Sequence, residues 1–171
     1  DIAWIRSLAN VKSLYPVSTQ FLQYKNSEIC IIPIDHLQLK QFASYWLVQG
    51  KHLEENDVNK ILLNEEFANH HNLNLGDKIT CSTSRGPTTF EIVGLVSKHG
   101  LAQESTNEFG IGFVSPNSHL STTTIFLLVQ LKDKTLLKET RAHINTTFKS
   151  RYQALPAPSG YINPHLLEIT Q

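Results

Sequence analysis

The chain has 171 residues, of which 40% are hydrophobic, 18% charged and 9% aromatic, and its 15 Lys and Arg balance 15 Asp and Glu. Ordinary apolar content excludes intrinsic disorder, and zero net charge with no Lys or Arg run removes the global attraction that nucleic acid or an anionic membrane would need. The length suits one domain or two small intertwined subdomains.

No stretch approaches the roughly 18–20 apolar residues that span a bilayer; the longest runs, Ile29–Ile32 and Ile125–Val129, have strand length. No basic region precedes an apolar segment at the start, so a signal peptide is not expected. The chain begins at Asp1 and contains no Met, and is therefore expected to be a processed product or a piece of something larger. Cys30 and Cys81 both lie in strand-like sequence and read as small buried hydrophobes. A disulfide between them stays open, because spacing does not supply its geometry.

In chain order, Asp1 can cap a helix whose apolar residues Ile2, Ile5, Leu8 and Ala9 keep helical spacing. Val11–Lys25 reads as extended, and the turn residues Lys25-Asn26-Ser27 join it to an Ile-rich strand, Glu28–Ile34, as a hairpin. Leu39, Phe42, Ala43, Trp46 and Leu47 form an apolar helical stripe, with Gly50 where a C-terminal cap belongs. Short strands and turns follow. Lys60–Leu63 is a strand, and Asn64 can cap a brief helix, Glu65–His71, whose two acids suit the helix dipole. Strands at Lys78–Thr83 and Thr88–Ser97 flank the turn Ser84-Arg85-Gly86-Pro87, and a polar stretch, Lys98–Glu108, leads to a strand at Phe109–Val114.

Thr123–Leu131 has the continuous apolar centre of a strand covered on both faces. Asp133 can cap the next helix, with Leu136, Leu137, Ile144 and Phe148 inward. Ala154–Gly160 is linker-like, and His165–Thr170 reads as an edge strand. The expected core includes Phe42, Trp46 and Ile125–Val129. The fold class is α+β: flanking α/β segments close together around a β-rich insertion that forms a small barrel or open sheet. No internal sequence repeat is evident.

Candidate chemistry is sparse. His70 and His71 would point about 100° apart on a helix and cannot chelate one metal together. His52 lies in a loop, and neither HExxH nor CxxC spacing occurs, so no metal site is expected and the histidines read as solvated. No G-x-S-x-G turn presents a nucleophile. Glu65 and Glu66 diverge too much for an acid/base pair, and no glycine loop opens a helix to cradle phosphate. Gly110-Ile111-Gly112 reads as relief of crowding, or a bulge, within a strand. Asn145-Thr146-Thr147 matches a glycosylation sequon by chance on a helix. Neither catalysis nor a cofactor is expected.

Four ordered segments carry a resemblance. Gly50-Lys51-His52-Leu53-Glu54-Glu55-Asn56-Asp57 is similar to "G-r-x-l-x-x-x-D", and Ile61-Leu62-Leu63-Asn64-Glu65-Glu66-Phe67-Ala68 to "v-v-l-s-e-x-l-A". Leu73-Asn74-Leu75-Gly76-Asp77-Lys78-Ile79 matches "l-x-x-G-d-x-i", and Phe90-Glu91-Ile92-Val93-Gly94-Leu95-Val96 matches "f-x-V-v-G-i-v". Together they resemble the MacB-like periplasmic core domain. Leu8–Val11 and Phe113–Pro116 agree more loosely, and Asn10 stands where Gly is usual.

The resemblance implies an extracytoplasmic domain of an ABC transporter permease, of the group that includes MacB, LolC/LolE and FtsX. It would lie outside the cytoplasmic membrane, between the first and second membrane helices. The organisation implied is a porter-like α/β subdomain at 1–49 and 123–153, a Sabre-like insertion at 50–122, and a linker or extension toward the membrane at 154–171. Such a domain is non-catalytic, with ATP hydrolysis in a separate nucleotide-binding subunit or domain. It binds an adaptor protein, a lipoprotein, a cell-wall hydrolase or an exported peptide and transmits ATP-driven movement. The full permease would be a dimer, the isolated domain a monomer, and Asp1 and Gln171 would lie together.

The polar loop is the expected partner surface, through Lys98, His99, Leu101, Gln103, Glu104, Asn107 and Glu108, because long polar loops in compact domains are often functional. A competing reading takes Gly76-Asp77-Lys78-Ile79 and Arg85-Gly86 as the "G-D-x-V … R-G" pattern of a cofactor-binding barrel in a soluble molybdopterin oxidoreductase. A free-standing secreted interaction domain is the remaining alternative.

Overall fold

The computed structural model describes residues 2–35, 45–118, 120–148, 153–156 and 166–170. In chain order the elements are α1 (Ile2–Ser7), β1 (Val11–Tyr24), β2 (Ser27–Pro33), β3 (Leu47–Gly50), β4 (Lys60–Asn64), α2 (Glu65–His70), β5 (Lys78–Thr83), β6 (Gly86–Val96), β7 (Phe109–Val114), β8 (Thr123–Leu131), α3 (Leu137–Phe148), β9 (Gln153–Pro156) and β10 (Leu166–Thr170). The fold is mixed α+β. The chain divides into a unit made from both of its ends, residues 1–18 and 124–171, and a second made from residues 19–123. Asp1, Leu39, Phe42, Ala43 and Gln171, on which several expectations rested, lie outside the described residues.

In the first unit the sheet order is β1-β8-β10-β9, with β10 antiparallel to both neighbours. Leu127, Val129 and Leu131 of β8 pack with Ile5, Val11, Leu14, Ile144 and Phe148, and Trp4 meets Phe148 edge-on at 5.2 Å. Within 154–171, residues 154–156 belong to β9 and 166–170 to β10, which lies inside the sheet and not at its edge; the rest of the expected linker lies outside the described residues. Asn145 secures the outer strand: its Oδ1 accepts the Ala154 N–H at 2.7 Å and its Nδ2 donates to the Ala154 carbonyl at 3.3 Å. Those bonds supply β9 with the partner that a further strand would otherwise provide.

Two core expectations fail here. Ile125 is exposed, because the pairing of β10 with β8 stops at Phe126. Leu136 is exposed because residues 134–136 form a 3-10 turn and regular helix begins only at Leu137. Asp133 caps that turn, its Oδ1 accepting from the Thr135 N–H at 2.8 Å.

Asn10, the departure from the resembling motif, has a local explanation. Its Oδ1 accepts the Asp133 N–H at 2.9 Å, while its Nδ2 lies 3.0 Å from both the Asp133 carbonyl and Thr140 Oγ1. These bonds join the start of β1 to the approach to α3. Asn10→Ala should destabilise the protein by about 2 kcal/mol, since it strips several bonds from one partly buried amide. A urea-denaturation midpoint equal to that of the parent protein would contradict this.

In the second unit β1 pairs antiparallel with β2, β2 parallel with β7, β7 antiparallel with β4, β4 parallel with β6, β6 antiparallel with β5, and β5 antiparallel with β1 again. The ring is therefore a closed six-stranded barrel. It has a pseudo-two-fold: exchanging β1, β2 and β4 with β5, β6 and β7 reproduces every pairing and its direction. Leu22, Ile29, Ile61, Leu63, Ile79, Phe90 and Val114 fill the interior with Phe67 of α2. A Cβ on Gly112 would overlap Ile61, and one on Gly110 would sit 3.0 Å from Ile29. Relief of crowding, rather than a bulge, explains this pair.

The boundary expected near residue 49 falls at Ser18/Thr19, because the second half of β1 and all of β2 are barrel strands. The helical reading of the Trp46 region is also corrected. Leu47–Gly50 is a strand on β6, and the Trp46 carbonyl accepts the Ser97 N–H at 3.0 Å, which extends that ladder. Trp46 is 42% exposed rather than core, and Gly50 ends a strand instead of capping a helix. Cys30 and Cys81 are buried and free. Burial pushes both thiols up to about 11.

Candidate partner-binding site

Strands β4 and β6 run parallel and end side by side, with Asn64 opposite Val96. From there the chain leaves β4 into α2 and leaves β6 into the loop of residues 97–108. Between the two exits lies a cleft of about 200 Å³, lined by Asn64, Glu65, Glu66, Val96, Ser97, Lys98 and Ser105.

Asn64 sets its shape. This residue is 1% exposed and makes no side-chain cap to α2, contrary to the sequence expectation. Its Oδ1 accepts the Ile111 N–H at 2.9 Å and its Nδ2 donates to the Thr106 carbonyl at 3.2 Å, so it ties the far end of the loop to the barrel. Ser105 Oγ donates to the Ala102 carbonyl at 2.6 Å, and Thr106 Oγ1 accepts from the Phe109 N–H at 2.9 Å. The loop is therefore bonded along its length.

Of the seven expected contact residues, Lys98, Glu104, Asn107 and Glu108 are exposed, and His99 and Gln103 are half-buried. Leu101 is buried, because Gly100–Ala102 form a 3-10 turn with all three residues inward; it cannot contact a partner. The His99 ring lies flat on Trp46, with centroids 4.0 Å apart and planes at 8°, while its Nδ1 is 2.9 Å from Ser97 Oγ.

Sequence reasoning missed Trp46, Asn64, Glu65, Glu66 and Ser97 as companions of this loop. The two acids were visible at the start of a helix. Their place opposite the loop depends on the parallel pairing of β4 with β6, which leaves no local signal.

The pseudo-two-fold relates this cleft to one of about 220 Å³ at the carboxyl ends of β2 and β7, lined by residues that include Ile34, Glu54, Glu55, Ser115 and Asn117. There the polar groups serve each other. Ser115 Oγ and Asn117 Nδ2 both donate to the Glu55 carbonyl, at 3.1 and 2.9 Å. Outside the cleft lining, Asp57 accepts from the Glu54 N–H and from Lys60 Nζ, each at 2.9 Å.

The histidines are placed separately. His71 is half-buried against Phe67 and Tyr24, with Nε2 3.3 Å from the Ser27 hydroxyl, so the solvated reading fails for it. Burial, then His70 and Lys25, push its pKa down. His52 Nδ1 lies 2.9 Å from the Tyr45 hydroxyl. Among the described residues no group of three or more His, Cys, Asp or Glu could hold a metal ion, and no helix is long and apolar enough to cross a membrane.

The α+β architecture defines only a broad structural class. No family model and no curated protein matches the chain. Among solved structures it is similar to the extracellular domain of the noncanonic ABC-type transporter YknZ from Gram-positive bacteria, at 16% identity over 85% of this chain and 81% of that one, with a TM-score of 0.46. It is likewise similar to the periplasmic region of MacB from Actinobacillus actinomycetemcomitans, at 17% identity over 85% of this chain and 71% of that one, with a TM-score of 0.42.

Proposed function

We propose that the chain is an extracytoplasmic domain of an ABC transporter permease, a non-catalytic module that binds a partner and transmits ATP-driven movement. The observation that carries the reading is the set of four ordered motifs across residues 50–97. The two-unit organisation is consistent with it, because a unit made from both chain ends, interrupted by residues 19–123, suits a domain inserted between membrane segments. In this reading an ATPase subunit or domain acts through the parent permease. The bound partner is an adaptor, lipoprotein, cell-wall hydrolase or exported peptide, and residues 97–108 form part of the contact surface.

Location tests the reading. Cys30 and Cys81 are buried, with thiols raised to about 11, so both should resist a charged, membrane-impermeant maleimide at neutral pH. Asn107→Cys, placed in the full parent protein, should be labelled in intact cells whose inner membrane alone is sealed. Labelling only after that membrane is broken would place the domain in the cytoplasm and overturn the proposal.

A further inference from the structure

We infer that the unit made from both chain ends is an interaction surface for an anionic phospholipid membrane. The inference rests on the permease reading above, in which the segments entering and leaving this unit continue into the bilayer, and it names what the unit meets there. Charge is the first observation. Residues 1–18 and 124–171 hold eight of the 15 Lys and Arg but only four of the 15 Asp and Glu, a formal charge of +4. Residues 19–123 hold the other seven cations and eleven acids, a formal charge of −4. The neutrality of the chain is therefore a cancellation between its two units. An anionic surface attracts the first and repels the second.

The second observation is where the cations stand. Lys134, Lys138 and Arg141 are spaced i, i+4 and i+7 through the 3-10 turn and the start of α3, so they share one flank. Lys132 stands two residues before them. The three lysines are exposed and Arg141 is half-buried. None of the four forms an ion pair among the described residues, where the only such pair is Lys60 with Asp57. The two nearby acids leave the flank positive. Asp133 Oδ1 accepts from the N–H and the hydroxyl of Thr135, and Glu139 is turned about 100° around the helix from Lys138.

The third observation is that helix stability does not account for this placement. Cations stabilise the last turn of a helix, where the dipole is negative, and oppose the dipole in the first. The last turn of α3 has no basic residue, while Lys134 and Lys138 stand at its positive end. There they add to the attraction that the helix start exerts on an anion. Separate cations on long, exposed stems suit an array of lipid headgroups, since each Lys or Arg near an anionic leaflet contributes its own increment.

The test is co-sedimentation of this 171-residue chain with vesicles of phosphatidylcholine containing about 30% phosphatidylglycerol. The affinity at about 50 mM salt should fall at least fivefold at about 500 mM, where screening shortens the reach of each charge. Vesicles of zwitterionic phosphatidylcholine alone should not bind. Lys134→Gln/Lys138→Gln/Arg141→Gln should lower the affinity at least fivefold. Lys51→Gln/Lys78→Gln/Arg85→Gln, which removes the same charge from exposed positions of the barrel unit, should lower it less than twofold. No binding to the anionic vesicles, equal binding to the zwitterionic ones, or an equal loss in the two variants would overturn the inference. Soluble polyglutamate bound as tightly as the vesicles would assign the surface to an acidic protein and overturn it too. Should the first variant not fold, Lys134→Gln/Lys138→Gln, at exposed positions, carries the test with an affinity loss in the same direction. Maleimide labelling reports on which side of the membrane the domain lies, and sedimentation on what it touches there, so either can fail alone.

Discussion

Gly50→Ala is expected to destabilise the barrel unit by about 3 kcal/mol, from left-handed backbone strain combined with a backbone collision. Gly50 has φ +84°, and a Cβ there would overlap the Val93 carbonyl oxygen and sit 2.7 Å from Gly94 Cα. Neither neighbour is the free end of a side chain, so β3 would have to lift from β6. Gly94, directly opposite, is as confined: its Cβ would lie 2.6 Å from Leu62 Cδ2 and 2.8 Å from the Lys51 carbonyl. Gly76 supplies the comparison. Its φ is also positive, at +88°, but an added Cβ meets nothing, so Gly76→Ala should cost only about 1 kcal/mol. Urea unfolding followed by Trp46 fluorescence, in a Trp4→Phe background, reads both. Equal midpoints for the two variants would refute the steric account.

Asp57→Ala should lower stability by about 2 kcal/mol at neutral pH, chiefly through the lost carboxylate bond to the Glu54 N–H. The side chain is 8% exposed. Burial alone would raise its pKa, but the Glu54 N–H and the bond and charge of Lys60 outweigh that and hold it below the ordinary carboxylate value. A carboxylate with a depressed folded pKa contributes stability that is complete above its unfolded pKa, about 3.9, and is lost as pH falls through the folded value. The difference between parent and variant should therefore hold steady from pH 7 to about pH 5 and shrink below about pH 4. A difference that instead grew on acidification would show that Asp57 is not the stabilising anion.

These two positions explain why parts of the resembling motifs were legible. Gly50, Asp57 and Gly94 meet requirements of backbone approach and loop capping, which impose residue types readable from sequence alone. The same holds for β1, β2, β4, β5 and β7, whose ends are marked by Lys25-Asn26, Asn64, Ser84-Arg85 or Ser115-Pro116 and whose interiors are apolar or alternate apolar with polar, and for β8 with its apolar centre. What stayed hidden depends on distant partners. Trp46 and Leu47 keep helical spacing with the residues before them, yet the β6 edge claims their backbone. Leu101 sits in a polar stretch, yet its 3-10 turn tucks it inward. The strand at 153–156 looked like a linker because an amide on α3, Asn145, stabilises it, and no local pattern records that. The candidate cleft was half legible for the same reason: its loop wall is continuous in sequence, while Glu65 and Glu66 arrive through a parallel pairing.

The pseudo-two-fold has a consequence for how the barrel assembles. Each half places its third strand beside the hairpin of the other half, β4 against β6 and β7 against β2. Neither half can complete its own sheet, so a fragment ending near Asn64 would lack a partner for β4 and should remain unfolded. The parallel pairings join segments distant in sequence, and their loop-closure entropy is lost before the contacts form. Residues 19–123 should therefore fold slowly and lose their slowest-exchanging amides in a single event, with no half-barrel surviving as an intermediate.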